Sequence, residues 1–209
     1  TCDEEAREEV EHICLNFANK LGEGNVVGDA AVLTEPSINE AISLPGKVQY
    51  VVAGGNFAKH GHSFKGSMRV LETILRYEYL WTKIRIQGGA YGATARFEIN
   101  GLMAFASYRD PQLLKSMDAY KEMPQWLGSL ELPQRELDKY VIGTISGMDV
   151  PLTTSMKLDQ AVAYNLKNFP KSLRQRIRDE VLDVTNEDLQ ALAKVVEDTL
   201  KDGYICVVG

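Results

Sequence analysis

AYGATARFEINGLMAFASY, residues Ala90 to Tyr108, decides how this chain is read. Small and large residues alternate on both sides of Asn100-Gly101, a dipeptide favoured in tight two-residue turns because both positions accept positive φ. The pattern predicts a hairpin with strands near 91–99 and 102–108. Working upstream, Ser63 to Trp81 carries Met68, Leu71, Leu75, Tyr79 and Leu80 at helical spacing. Before that, Val48 to Ala53 is a short β-branched run closed by Gly54-Gly55, so this part reads strand, turn, helix, hairpin.

Downstream the periodicity is helical. Pro111 to Leu130, Pro133 to Ser146, Lys157 to Asn168 and Leu173 to Leu182 each fit a helix, with Pro111 and Pro133 expected in first turns. Thr185 with Asp188 resembles a capping box, with Asp in place of Glu or Gln, and opens a helix marked by Leu189, Leu192, Val195, Val196 and Leu200. Gly203 ends it, and Tyr204 to Val208 is an apolar run suited to a buried strand. At the other end, Val10, Ile13, Cys14, Phe17 and Leu21 form the stripe of an amphipathic helix over Asp3 to Leu21, stopped by Gly22 and Gly24. Irregular grouping of strands and helices places the chain in the α+β class, with an antiparallel sheet covered by helices on one side.

The 209 residues are 44% hydrophobic and 25% charged, which suits a soluble globular domain. A domain of this size buries about 70% of its unfolded surface. The net charge is −6 with no basic stripe, so nucleic acid is not an expected partner. No apolar run reaches membrane-spanning length, and the acidic opening TCDEEAREEVEHI does not fit a signal peptide. A patterned start without Met fits an excised piece of a longer chain. Cys2, Cys14 and Cys206 suggest reduced thiols in a reducing compartment, cytoplasmic or, in a eukaryote, an organellar matrix.

A zinc peptidase needs HExxH or HxxEH, and neither occurs among the three histidines His12, His60 and His62. His60-Gly61-His62 would put two rings on one side of an extended strand and could hold a metal, or could be a solvated loop. No GxSxG elbow or thiol-protease signature is present. IQGGAYGAT, residues 86–94, lacks the GK[ST] ending and the GxGxxG spacing of phosphate loops. Within the same piece Arg85, Gly88, Gly89 and Tyr91 fall together at a helix-to-strand junction. Arginine's fork of donors and a tyrosine hydroxyl can grip a peptide carbonyl or carboxylate, and paired glycines admit a close backbone. Equally, Arg85 could pair with a surface acid while Tyr91 fills a sheet face.

YLWTKIRIQGGAYGATARF (Tyr79 to Phe97), FASYRDPQLLKSMDAY (Phe105 to Tyr120) and YVIGTISGMD (Tyr140 to Asp149) occur in this order within about residues 64–150. This stretch resembles the C-terminal half of insulinase/pitrilysin-family peptidases of the presequence-protease, falcilysin-like branch. Ala93 stands where relatives often have glycine. The resemblance implies a domain like those of mitochondrial processing peptidase, with residues 1–209 forming one zinc-free C-terminal domain of a longer chain. It also implies that zinc belongs to an absent N-terminal half bearing HxxEH, which is the expected partner, and that no metal or catalytic residue lies in this segment. Arg85 and Tyr91, with Gly88 and Gly89, are then expected to hold the backbone of a short unstructured peptide, and this segment alone is expected to be inactive. A non-catalytic scaffold or interaction subunit, and a peptidase with a separately encoded zinc subunit, are the alternatives.

Overall fold

A computed structural model describes residues 2–24 and 39–209. These fall into two compact units, one made of 2–24 with 151–169 and the other of 39–150 with 170–209.

The first unit holds α1 (Arg7–Lys20) and α5 (Thr154–Leu166). The expected amphipathic helix forms, but Val10, Ile13, Cys14, Phe17 and Leu21 are all exposed. Thr153 caps α5 by accepting from the Met156 N–H at 3.3 Å. The helix ends where Asn168 takes a left-handed φ of 47°, and the Tyr164 and Phe169 rings meet edge-on at 5.3 Å.

The second unit is built on a five-stranded sheet ordered β1-β5-β2-β4-β3. The strands are β1 (Glu40–Ile42), β2 (Gln49–Asn56), β3 (Gly92–Phe97), β4 (Leu102–Asp110) and β5 (Tyr204–Val208). Four strands form the expected antiparallel sheet, and β1 adds one parallel pairing along β5. Its helices are α2 (Ser67–Ile74), which continues through π-helical turns at Leu75–Tyr79 and Trp81–Ile86, then α3 (Leu113–Gly128), α4 (Gln134–Met148), α6 (Lys171–Leu182) and α7 (Asn186–Lys201).

Alternation along the strands divides the sheet. Val51, Ala53, Ala95, Phe97, Met103 and Phe105 are buried against Met68, Leu71, Ile74, Tyr120, Met123 and Leu192 of the helices. Phe105 sits between Phe97 and Tyr120 with centroids at 6.1 and 5.9 Å, and the Tyr120 hydroxyl donates to the Val51 carbonyl at 3.3 Å. Burying each of the larger apolar side chains here contributes about 1.5–3 kcal/mol, so this layer dominates the core. The opposite face carries Tyr50, Val52, Ala104, Ala106 and Tyr108, all at least partly exposed.

Several local expectations are corrected. Strand β2 does not stop at Gly54-Gly55 but runs on to Asn56. A side chain on Gly54 would collide with the Met103 backbone of β4, so glycine here permits close strand approach instead of ending the strand. The hairpin turn is longer than Asn100-Gly101 alone. Gly101, with φ 93°, is its only residue of positive φ. The Gly101 N–H donates to the Glu98 carbonyl at 2.9 Å, while the Glu98 N–H donates to Leu102 at 2.8 Å. This is a type I turn closed by a glycine bulge. Pro133 occupies the cap position of α4 and Pro111 precedes α3 by two residues, so both stand just outside the helix. The capping box forms as read, with Thr185 Oγ1 accepting from the Asp188 N–H at 3.2 Å and Asp188 accepting from the Thr185 N–H at 3.1 Å.

Candidate functional site

The helix begun by α2 runs five residues beyond the expected end at Trp81, and its last π turn carries Arg85. Rings closed by i→i+5 bonds are uncommon and are often found at functional sites. Here they are pinned from both sides. The Tyr79 hydroxyl donates to the Ala119 carbonyl at 2.7 Å and its ring tilts against Trp126 at 4.8 Å. Burial, aided by Glu122, pushes this phenol up to about 12, so it remains a proton donor. From α4, the Tyr140 hydroxyl binds Glu78, and burial followed by that carboxylate raises the phenol's pKa.

The glycines complete the helix end. The Gly89 N–H donates to Arg85 at 2.9 Å and the Ala90 N–H to Ile84 at 3.1 Å. Gly89 is exposed at φ 80°, a left-handed position that favours glycine. Gly88 is buried, and a Cβ there would lie 2.5 Å from the Ile84 carbonyl oxygen. The backbone that closes on Gly88 is therefore its own helix. Released by this turn, the chain enters the sheet, where the Tyr91 N–H donates to Tyr108 at 3.0 Å.

Arg85 and Tyr91 are thereby brought together. The Arg85 guanidinium carbon lies 4.2 Å from the Trp81 ring centroid and 5.8 Å from that of Tyr91. Tyr91 meets Tyr108 edge-on at 5.4 Å and Tyr108 meets Tyr50 at 5.2 Å. An exposed ridge results, running Trp81, Arg85, Tyr91, Tyr108, Tyr50. No carboxylate of the described residues lies within 4.0 Å of Arg85. Tyr91 is 64% exposed, so it is not packed into the core. Such an arrangement can donate several hydrogen bonds to a carbonyl or carboxylate while aromatic edges flank it. Trp81, four residues before Arg85 on the helix, escaped the sequence reading. The i, i+4 spacing of tryptophan and arginine was the available signal.

The histidine motif differs from its expected geometry. His60 ends a 3₁₀ turn (Phe57–His60), and Gly61 follows in a left-handed conformation, so the two rings do not share an extended strand. His62 Nε2 is 3.0 Å from Asp198, which also binds Lys194 at 2.6 Å. Lys194 first and His62 second hold the Asp198 carboxyl below its ordinary range. Among the described residues no three His, Cys, Asp or Glu side chains converge as metal ligands would. A cleft of about 630 Å³ lies elsewhere, between Lys65, Ser67 and α6. Its Glu180 is already engaged, accepting from the Gly66 N–H at 2.6 Å. No helix among the described residues is long and apolar enough to cross a membrane.

Comparison with known proteins places this geometry in context. Protein HypA of Clostridium perfringens is 40% identical over 171 residues, covering 82% of this chain and 18% of that protein. Presequence protease 1, chloroplastic/mitochondrial, of Arabidopsis thaliana is 32% identical, covering 99% of this chain and 19% of its own length. The chain thus spans under a fifth of either relative. Among solved structures, the peptidase M16 inactive domain from Pseudomonas fluorescens superposes with a TM-score of 0.69 at 16% identity, over 97% of this chain and 50% of that one. Pitrilysin superposes at 0.60 with 14% identity, over 95% and 22%. These likenesses establish an M16-type α+β fold. The model of the PreP C-terminal domain matches residues 39–209, and with the sequence relatives above it shows that the chain belongs to the PreP C-terminal domain family of presequence proteases.

Proposed function

We propose that this chain is the peptide-holding C-terminal domain, one domain over residues 1–209, of a zinc-dependent oligopeptidase that degrades short unstructured peptides. The carrying observation is the exposed Arg85 guanidinium, seated between Trp81 and Tyr91 without a carboxylate partner among the described residues. The zinc-bearing N-terminal half of the longer protein would supply the hydrolytic chemistry. In this chain, Arg85 donates to the peptide backbone near the scissile bond and strengthens its grip as charge develops on the carbonyl oxygen, while Tyr91 fixes the orientation of that backbone. Gly88 and Gly89 act by ending the helix so that Arg85 and Tyr91 face the same space. The three free cysteines suit a reducing cytoplasmic or organellar-matrix setting.

Arg85→Ala in the complete peptidase tests the assignment. Loss of one such donor costs about 2–4 kcal/mol of transition-state stabilisation, which is roughly 30- to 1000-fold in kcat/KM. An unchanged kcat/KM removes Arg85 from the site.

A further inference from the structure

The ridge ends beside a backbone outlier that the peptide-holding role does not use. Arg109 has φ 49°, one of two non-glycine residues of positive φ among the described residues. Arginine is uncommon there, and such strain persists only where the surroundings impose it. The imposing element is a bulge at the end of β4. Gln49 pairs with Asp110 but Val51 pairs with Ser107, which leaves two residues of β4 opposite Tyr50 alone. Ser107 and Asp110 are both buried toward the helices, at 2% and 0% exposure. Tyr108 and Arg109, between them, are both exposed. Asp110 locks the arrangement, accepting from the Gln112 N–H at 2.8 Å and from the Ser116 hydroxyl at 2.5 Å.

The bulge thus leaves a second exposed arginine next in the chain to Tyr108, whose ring meets Tyr91. The chain continues into Pro111, which packs beside Gly89, and the Tyr91 N–H donates to the Tyr108 carbonyl, so the Tyr91 end of the Arg85-to-Tyr91 loop lies next to this strand end. No carboxylate of the described residues lies within 4.0 Å of Arg109 either. An exposed guanidinium fork held by a strained backbone is suited to bidentate capture of a carboxylate.

We propose that Arg109 is a specificity-determining residue that binds a carboxylate of the held peptide, beyond the segment gripped by Arg85 and Tyr91. The inference rests on the peptide-holding role proposed above. The carboxylate is either an acidic side chain or the free C-terminus, which share the same recognition chemistry.

The test uses the complete peptidase and matched fluorogenic peptides: one pair with a C-terminal acid or amide, another, C-terminally amidated, with glutamate or glutamine at one position. Arg109→Gly removes the guanidinium where glycine accepts the backbone, so its Tm should match or exceed that of the parent. Arg109→Lys keeps the charge and loses the fork. The parent should favour the carboxylate member of one pair by about tenfold in KM, not in kcat. Arg109→Gly should bring that ratio close to one, and Arg109→Lys should fall between. Loss of the acid-over-amide ratio identifies the C-terminus, and loss of the glutamate-over-glutamine ratio identifies the side chain. A parent without preference, or an Arg109→Gly protein that keeps it, overturns the assignment. Failure of the underlying role looks different, because Arg85→Ala would then leave cleavage of every peptide intact.

Discussion

Trp81 provides the sharpest test of how the ridge works. Its ring lies 4.2 Å from the Arg85 guanidinium carbon, nearer than that of Tyr91 at 5.8 Å. The ring is 40% exposed, which places the contact on the surface. A cation–π contact at an exposed site is worth about 0.5–1 kcal/mol. If that contact aims the guanidinium, Trp81→Ala should lower kcat/KM of the complete peptidase by roughly two- to fivefold. The same change in an Arg85→Ala background should do nothing further, since no guanidinium remains to be aimed. Four proteins assayed on one peptide therefore form a double-mutant cycle whose coupling should match the contact energy. Additive losses would refute the reasoning and make Trp81 a separate peptide contact or a structural support. Thermal denaturation of the four proteins separates the cases further, because the Arg85 contact accounts for only about 1 kcal/mol of stability, or roughly 2–4 °C in Tm.

Three further expectations concern the scaffold. Gly54→Ala forces a methyl group into the Met103 backbone, whereas Gly92→Ala meets nothing within 4 Å. Calorimetry should show the first lowering Tm by roughly 4–10 °C and the second changing it little, and equal transitions would sink the packing argument. Burial raises the pKa of Glu72 above its ordinary 4.5, opposed by the Phe97 N–H bond at 2.5 Å and by Arg69. The folded protein therefore holds this proton more tightly than the unfolded chain does. Stability from Glu72 is complete below 4.5 and is lost as pH rises through the raised value. In denaturant titrations Glu72→Gln should gain on the parent across that window and then run parallel. A shift in the opposite direction would mean that the Arg69 ion pair dominates. Thr185→Ala removes the cap of α7 and should cost about 1 kcal/mol by chemical denaturation, with Thr185→Ser retaining most of it.

Much of the scaffold was legible because burial imposes periodicity. Leu189, Leu192 and Val196 announce α7, and the alternation through Ala95, Phe97, Met103 and Phe105 announces the hairpin. What escaped notice has little local signal. Strand β1 is three exposed residues paired, among the described residues, only along β5. Gly54-Gly55 looks like a strand terminator until the neighbouring strand is known to press against it. The π turns depend on hydrogen-bond closure, which leaves no compositional trace. For the site, the proximity of Arg85 to Tyr91 could be read from the chain because only five residues separate them. The joining of Trp81, Tyr108 and Tyr50 to that pair depends on helix geometry and strand register. The left-handed Arg109 is a product of the bulge, since no local residue preference points to it.

The π turns also make the direction of Arg85 a matter of counting. From Met68 the inward line of the helix returns at Leu71, Leu75, Leu80 and Ile84. That is about four residues per return, where an α-helix would take 3.6. Over this length the surplus exceeds one residue, so a pure α-helix would carry its inward line through Thr82, and Arg85 would leave the helix at another azimuth. Substitutions along Leu75 to Ile86 leave this count unchanged, but a one-residue deletion would swing the guanidinium by about 100°, off the ridge altogether. The position of the cation is thus stored in the length of the segment as much as in its composition.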